Sequence, residues 1–113
     1  MRRKVLVVED DPDQLEVTRL SLKAAGFAIG TASNGIDALK KAQTVSPDLI
    51  LLDVMMPGLN GFAVCETLRE NPATASIPIL MLTGLCSHIS RLVAYESGAT
   101  DYAIKPFDAD ELV

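Results

Sequence analysis

Five short apolar runs, separated by stretches with helical character, constrain this chain more than any other feature. They are Val5–Val8, Ala28–Ala32, Leu49–Leu52, Ile77–Leu82 and Tyr102–Ile104. The first, third and fourth are rich in Val, Ile and Leu and show no polar alternation. Such runs suit strands covered on both faces, as in a parallel sheet, rather than strands with one wet side. Strands alternating with helices predict βαβ units joined by right-handed crossovers, hence a doubly wound α/β domain.

The segments between the runs carry helix start and stop signals. Asp13 to Ala25 forms helix well, with Leu15, Leu22 and Ala25 along one stripe that Thr18 interrupts, and Gly26 closes it. Asn34 is placed to cap a second helix running to Val45, which Ser46-Pro47 ends. Asn60 is placed to cap a third, with Val64, Cys65 and Leu68 facing inward, before Asn71-Pro72. Ser87 opens a fourth, with Ile89, Leu92 and Val93 on one face and Gly98 as its stop. Asp108 to Val113 reads as the first turns of a fifth helix, too short to be stable alone.

A chain of 113 residues is expected to form one domain, residues 1–113, with a single core and an incomplete final helix. It is 49% hydrophobic and 22% charged, which excludes a disordered polymer. The net charge of −5 argues against direct nucleic-acid binding by this domain, because an acidic surface repels a phosphate backbone. Cys65 and Cys86 match no zinc or redox spacing and read as reduced thiols of a cytoplasmic protein. The apolar run after the basic Arg2-Arg3-Lys4 is too short for a signal-peptide core or a membrane span, so no membrane association is expected.

Polar residues follow four of the five runs directly. Glu9, Asp10 and Asp11 follow the first, Asp53 the third, Thr83 the fourth, and Lys105 and Pro106 the fifth. Each has an ordinary explanation alone, such as acidic residues at a helix start. In a doubly wound sheet, however, the C-terminal strand ends form one edge where sites are built, so these groups converge. Crowded carboxylates repel one another, a conflict that a divalent cation or Lys105 relieves. Hard oxygen donors suit Mg²⁺. A carboxylate can attack phosphorus, with Mg²⁺, the Thr83 hydroxyl and the Lys105 ammonium stabilising the transferring oxygens.

The segments VLVVEDD at Val5–Asp11, DLILLDVMMPGLNG at Asp48–Gly61, ILMLTG at Ile79–Gly84 and GATDYAIKPF at Gly98–Phe107 together resemble the receiver domain of two-component response regulators. The resemblance extends over essentially the whole chain. It implies a flavodoxin-like five-stranded parallel sheet of order 2-1-3-4-5, with the fifth helix truncated. It implies a phosphorylation-activated bacterial signalling switch that takes a phosphoryl group on Asp53 from a sensor histidine kinase or phosphotransfer protein. Catalytic roles then fall to Asp53, Thr83 and Lys105. Metal ligation falls to Asp10 directly, Glu9 through water, Asp53, and the backbone carbonyl of Met55. Thr83 and Tyr102 become the switch pair, and an output domain or homodimer the responding partner. The resemblance also makes Met55 and Leu85 influence hydrolysis, and neither can orient an attacking water, so a phosphorylated state lasting minutes to hours is expected.

Other readings fit less well. A Mg²⁺-dependent phosphohydrolase with an Asp nucleophile usually needs an acid/base Asp two residues later, where this chain has Met55. A scaffold that is never phosphorylated would not need Glu9, Asp10, Asp53, Thr83 and Lys105 together. No P-loop or dinucleotide glycine fingerprint follows the first strand. The resemblance implies catalysis of the domain's own phosphorylation and dephosphorylation, not turnover of a free metabolite. His88 reads as a surface residue and Asp11 as a charge at the start of the first helix.

Overall fold

The structure, a computed structural model, describes residues 3–53, 55–56, 59–83, 98 and 100–104. The fourth helix expected from Ser87 and the fifth from Asp108 lie outside these residues, as do Leu85, Cys86, His88, Lys105 and Pro106. The described elements run β1 (Lys4–Val8), α1 (Pro12–Ala24), β2 (Ala28–Ala32), α2 (Gly35–Val45), β3 (Leu49–Asp53), β4 (Met55–Met56), β5 (Leu59–Asn60), α3 (Gly61–Glu70), β6 (Ile79–Thr83) and β7 (Asp101–Ile104).

Five strands form one parallel sheet in the order β2-β1-β3-β6-β7. This is the 2-1-3-4-5 order expected, once the short antiparallel pair β4–β5 is left out of the count. That pair was not anticipated: two-residue strands around Pro57-Gly58 are too short to leave a periodic signal.

The sheet is apolar on both faces, as the unbroken Val/Ile/Leu runs require. Leu6, Val8, Ile50, Leu52, Ile79 and Met81 pack on one side with Ala38 and Ala42 of α2 and Val64, Cys65 and Leu68 of α3. Val5, Val7, Leu51, Leu80 and Leu82 face the other way, where Leu22 of α1 is buried and Leu15 packs beside it. Alternate residues of one strand thus serve two cores, which is the physical content of a doubly wound fold.

Local chemistry sets the helix limits. Asp11 is the N-cap of α1, its side chain accepting from the Asp13 amide at 3.0 Å, and Pro12 takes the first helical position where no amide is needed. The expected structural role of Asp11 therefore has a definite form. Asn34 caps α2 by accepting from the Asp37 amide at 2.8 Å. Ala25 departs from expectation: it is the exposed C-cap of α1 and does not join the inward stripe, because the helix closes there and Gly26 turns the chain at φ 97°. Thr18 stays half-buried within that stripe. On the edge strand β2, Lys41 donates to the Thr31 carbonyl and lies 3.4 Å from Asp37. A lysine covering an edge carbonyl hinders pairing with another chain.

Candidate acidic metal and phosphoacceptor site

The strand register builds the site. Val8 of β1 lies opposite Leu52 of β3, and Asp53 of β3 lies opposite Leu82 of β6. The residue after Val8 is Glu9, and the residue after Leu82 is Thr83. Glu9, Asp53 and the backbone of Thr83 are therefore brought to one edge by strands that sit about 4.8 Å apart. The Glu9 amide donates to the Ala32 carbonyl at 3.0 Å, which extends the β1–β2 ladder by one residue and holds Glu9 at the rim. Asp10 comes next, in the short turn that Asp11 terminates by capping α1. The cap is the local reason that Asp10 lies at the sheet edge and not in the helix.

One carboxylate oxygen from each of Glu9, Asp10 and Asp53 lies within 4.8 Å of the others. Glu9 and Asp53 are buried and Asp10 is half-buried. Three carboxylates at this spacing repel one another, and burial strengthens the repulsion by removing the water that screens it. The N-terminal end of α1 lies just beyond and contributes a partial positive charge. The donor set is all oxygen, which fits a hard divalent cation such as Mg²⁺ and does not fit the His/Cys preference of zinc.

Other expected site residues are placed only by backbone. Met55 opens β4 and pairs with Asn60. Thr83 ends β6 opposite Ile104, and Tyr102 of β7 lies opposite Met81. Lys105 falls outside the described residues. The sequence reading missed Arg69, whose side chain bridges α3 to the segment before β7. A basic residue in a last helical turn signals only a favourable dipole contact, so its long-range partners left no trace in the sequence.

A parallel, doubly wound sheet with a carboxylate triad at its carboxyl edge defines an α/β domain whose acidic pocket suits a divalent cation. The family model of the response regulator receiver domain matches residues 5–113, and the chain belongs to that family. It is similar to the DNA-binding response regulator MtrA of Mycolicibacterium smegmatis, 42% identical over all of this chain and 48% of that protein. It is also 40% identical to the DNA-binding dual master transcriptional regulator RpaA of Synechocystis, over 97% of this chain and 46% of that protein. The chain thus spans about half the length of these curated relatives.

Among solved structures, the chemotaxis protein CheY4 of Vibrio cholerae superposes with a TM-score of 0.92 at 35% identity, covering 99% of this chain and 93% of that one. The receiver domain of a sensor histidine kinase from Pseudomonas aeruginosa, with magnesium coordinated in its active-site cleft, gives a TM-score of 0.89 at 29% identity. It covers 99% of this chain and 92% of that one. The relatives named as DNA-binding, of which this chain spans about half the length, do not fit the expectation of no direct nucleic-acid binding. Among the described residues no helix is long and apolar enough to cross a membrane.

Proposed function

We propose that residues 1–113 act as one phosphorylation-controlled receiver unit in which Asp53 is the phosphoacceptor. The observation that carries this reading is the meeting of Glu9, Asp10 and Asp53 within 4.8 Å at the carboxyl edge of a receiver sheet. Asp53 is buried at the end of the central strand β3, so its carboxylate is held in place by strands on both sides. A carboxylate oxygen of Asp53 forms the new bond to phosphorus while the bond between phosphorus and the donor's leaving atom breaks. The electron pair leaves with that donor, the imidazole of a phosphohistidine or the acetate of acetyl phosphate, and an acyl phosphate remains on Asp53.

Asp10 directly, Glu9 through a water, Asp53 and the Met55 carbonyl would hold Mg²⁺, in keeping with the acidic cluster here and the magnesium in the Pseudomonas aeruginosa relative. When bound, the ion supplies positive charge against the carboxylates and the phosphoryl oxygens. Lys105 pairs with Asp53 before transfer and with the phosphoryl group afterwards. Thr83 turns its hydroxyl toward the phosphoryl oxygens, and Tyr102 moves into the space released, a local charge event read out by a bistable element. The phosphoryl donor is a sensor histidine kinase or phosphotransfer protein in the cytoplasm, and the altered surface is read by an output domain or a second copy. The unit catalyses only its own phosphorylation and dephosphorylation. With Met55 and Leu85 at the positions that influence hydrolysis, the phosphorylated state lasts minutes to hours.

The test is the intact mass of the protein after incubation with Mg²⁺ and acetyl phosphate, beside Asp53→Asn. A single phosphoryl adduct that requires Mg²⁺ and is absent in the variant is the expected result. An adduct that persists in Asp53→Asn rules out the assigned acceptor, and hydrolysis within seconds rules out the long lifetime.

A further inference from the structure

Arg69 stands in the last turn of α3, half-buried, and its guanidinium reaches two other segments of the chain. Nη1 donates to the carbonyls of Ala75 at 3.0 Å and Ile77 at 2.5 Å, in the loop that leads to β6. Nε donates to the Gly98 carbonyl at 2.7 Å, and Nη2 to the Thr100 hydroxyl at 3.0 Å, in the segment that leads to β7. The Thr100 hydroxyl oxygen also accepts from the Ile79 amide at 3.1 Å, and the Thr100 amide donates to the Ile79 carbonyl at 2.8 Å. One planar cation therefore ties the end of α3, the start of β6 and the approach to β7 into a single knot.

The fit leaves no slack at Gly98. Its φ of 103° lies in the region that favours glycine, and a Cβ there would stand 2.6 Å from Cγ of Arg69. β7 depends on this knot more than the inner strands would. It is the edge of the sheet and pairs only with β6 among the described strands, over four residues. A short edge strand has few ladder bonds of its own, so the anchor at its start governs how readily it moves.

The same helix begins at the other end of the molecule's chemistry. Gly61, the first residue of α3, follows directly on the β4–β5 pair, and β4 starts two residues after Asp53. We propose that Arg69 is a positioning residue: α3 with its Arg69 knot is the strut through which the loop after Asp53 acts on β7, the strand that bears Tyr102. The inference rests on the reading of Asp53 as phosphoacceptor. Its physical warrant is that β5 runs straight into the helix α3, whose far end Arg69 ties by hydrogen bonds to the approach to β7.

The experiment follows backbone amide exchange, with and without Mg²⁺ and acetyl phosphate, in the wild type, Arg69→Met and Gly98→Ala. Arg69→Met keeps much of the aliphatic stem and removes the donors. Gly98→Ala keeps the guanidinium but forces it aside. Both variants are expected to take up the Asp53 adduct to wild-type stoichiometry. In both, amides 100–104 exchange at least about tenfold faster before phosphorylation, since several hydrogen bonds to a charged group are gone. Amides of Val5–Val8 and Ile50–Leu52 keep their protection, and the phosphorylation-dependent change in 101–104 expected of the wild type is lost. Variants that carry the adduct and still show the wild-type response in 101–104 overturn the proposal. Loss of protection across Val5–Val8 also overturns it, because Arg69 would then serve general stability. A wild-type chain with no adduct refutes the Asp53 reading itself, and the coupling with it.

Discussion

Replacing Asp10 by Asn offers a sharp probe of the acidic site, because it should reverse the order of stability between metal-free and Mg²⁺-loaded protein. Asp10 is half-buried and faces two buried carboxylates, with one oxygen from each of the three groups within 4.8 Å of the others. At that distance two unit negative charges repel by about 0.9 kcal/mol in water and by about 3.5 kcal/mol at an effective dielectric of about 20. Asn at this position removes two such pairs. The half-exposed position of Asp10 favours the lower figure, so the variant should gain roughly 1–2 kcal/mol without metal, an increase in Tm of roughly 4–8 °C. With Mg²⁺ the balance turns. A cation present at about a hundred times its dissociation constant adds about 2.7 kcal/mol to the wild type. The variant, having lost a charged ligand, should bind the cation about a hundredfold more weakly and so gain only about 0.4 kcal/mol at the same concentration. Urea unfolding of both proteins, in EDTA and in Mg²⁺, measures all four values. If Asp10→Asn is the less stable protein in EDTA, or gains as much from Mg²⁺ as the wild type, the picture of three mutually repelling carboxylates sharing a cation is wrong.

Three further outcomes follow from the packing and the charges. Asn34→Ala should cost about 1 kcal/mol in urea unfolding. It removes the acceptor for the Asp37 amide at 2.8 Å, and the extended backbone at position 34 suits any residue, so an unchanged midpoint would mean that the cap is replaced by water. The Cys65 thiol is fully buried and its pKa is pushed up chiefly by that burial, with Arg69 opposing and Glu66 adding. In a Cys86→Ser background it should react with a disulfide reagent at mildly alkaline pH only as fast as the protein opens, and rapid reaction of the native protein would contradict its place in the core. The Glu16 carboxyl is held below its ordinary value, first by hydrogen bonds from Arg19 at 2.5 and 3.0 Å. A depressed folded-state value means that the pair's contribution is present above the ordinary carboxylate value and fades as pH falls through the depressed one. An NMR titration of Glu16 should move upward in Arg19→Ala, and an unmoved titration would show that the exposed pair does not form in solution.

The five strands, their parallel pairing and the convergence of Glu9, Asp10 and Asp53 were legible in the sequence because each follows from a local rule. Unbroken runs such as Leu49–Leu52 announce burial on both faces. Alternation of runs with capped helices fixes βαβ connectivity, and that connectivity sends every strand's carboxyl end to the same edge. Asn34 and Gly26 behaved as their side chains dictate, because caps depend on only a few neighbouring residues.

What tertiary structure alone decided has longer range. The separation of the three carboxylates depends on the register of β1 against β3, which is set by the packing of Leu6, Leu52 and their partners on two faces at once. Ala25 carries the apolar character of an inward residue, yet the point at which α1 closes leaves it exposed. Arg69 gives no sign, in a list of neighbours along the chain, of the carbonyl 29 residues away that it meets. The sequence by itself determined which residues could carry charge, cap a helix or enter a core, since those properties belong to single side chains. The fold decided which of them meet, because distance between strand ends and across the α3–β7 knot is a property of the packed sheet and not of any segment within it.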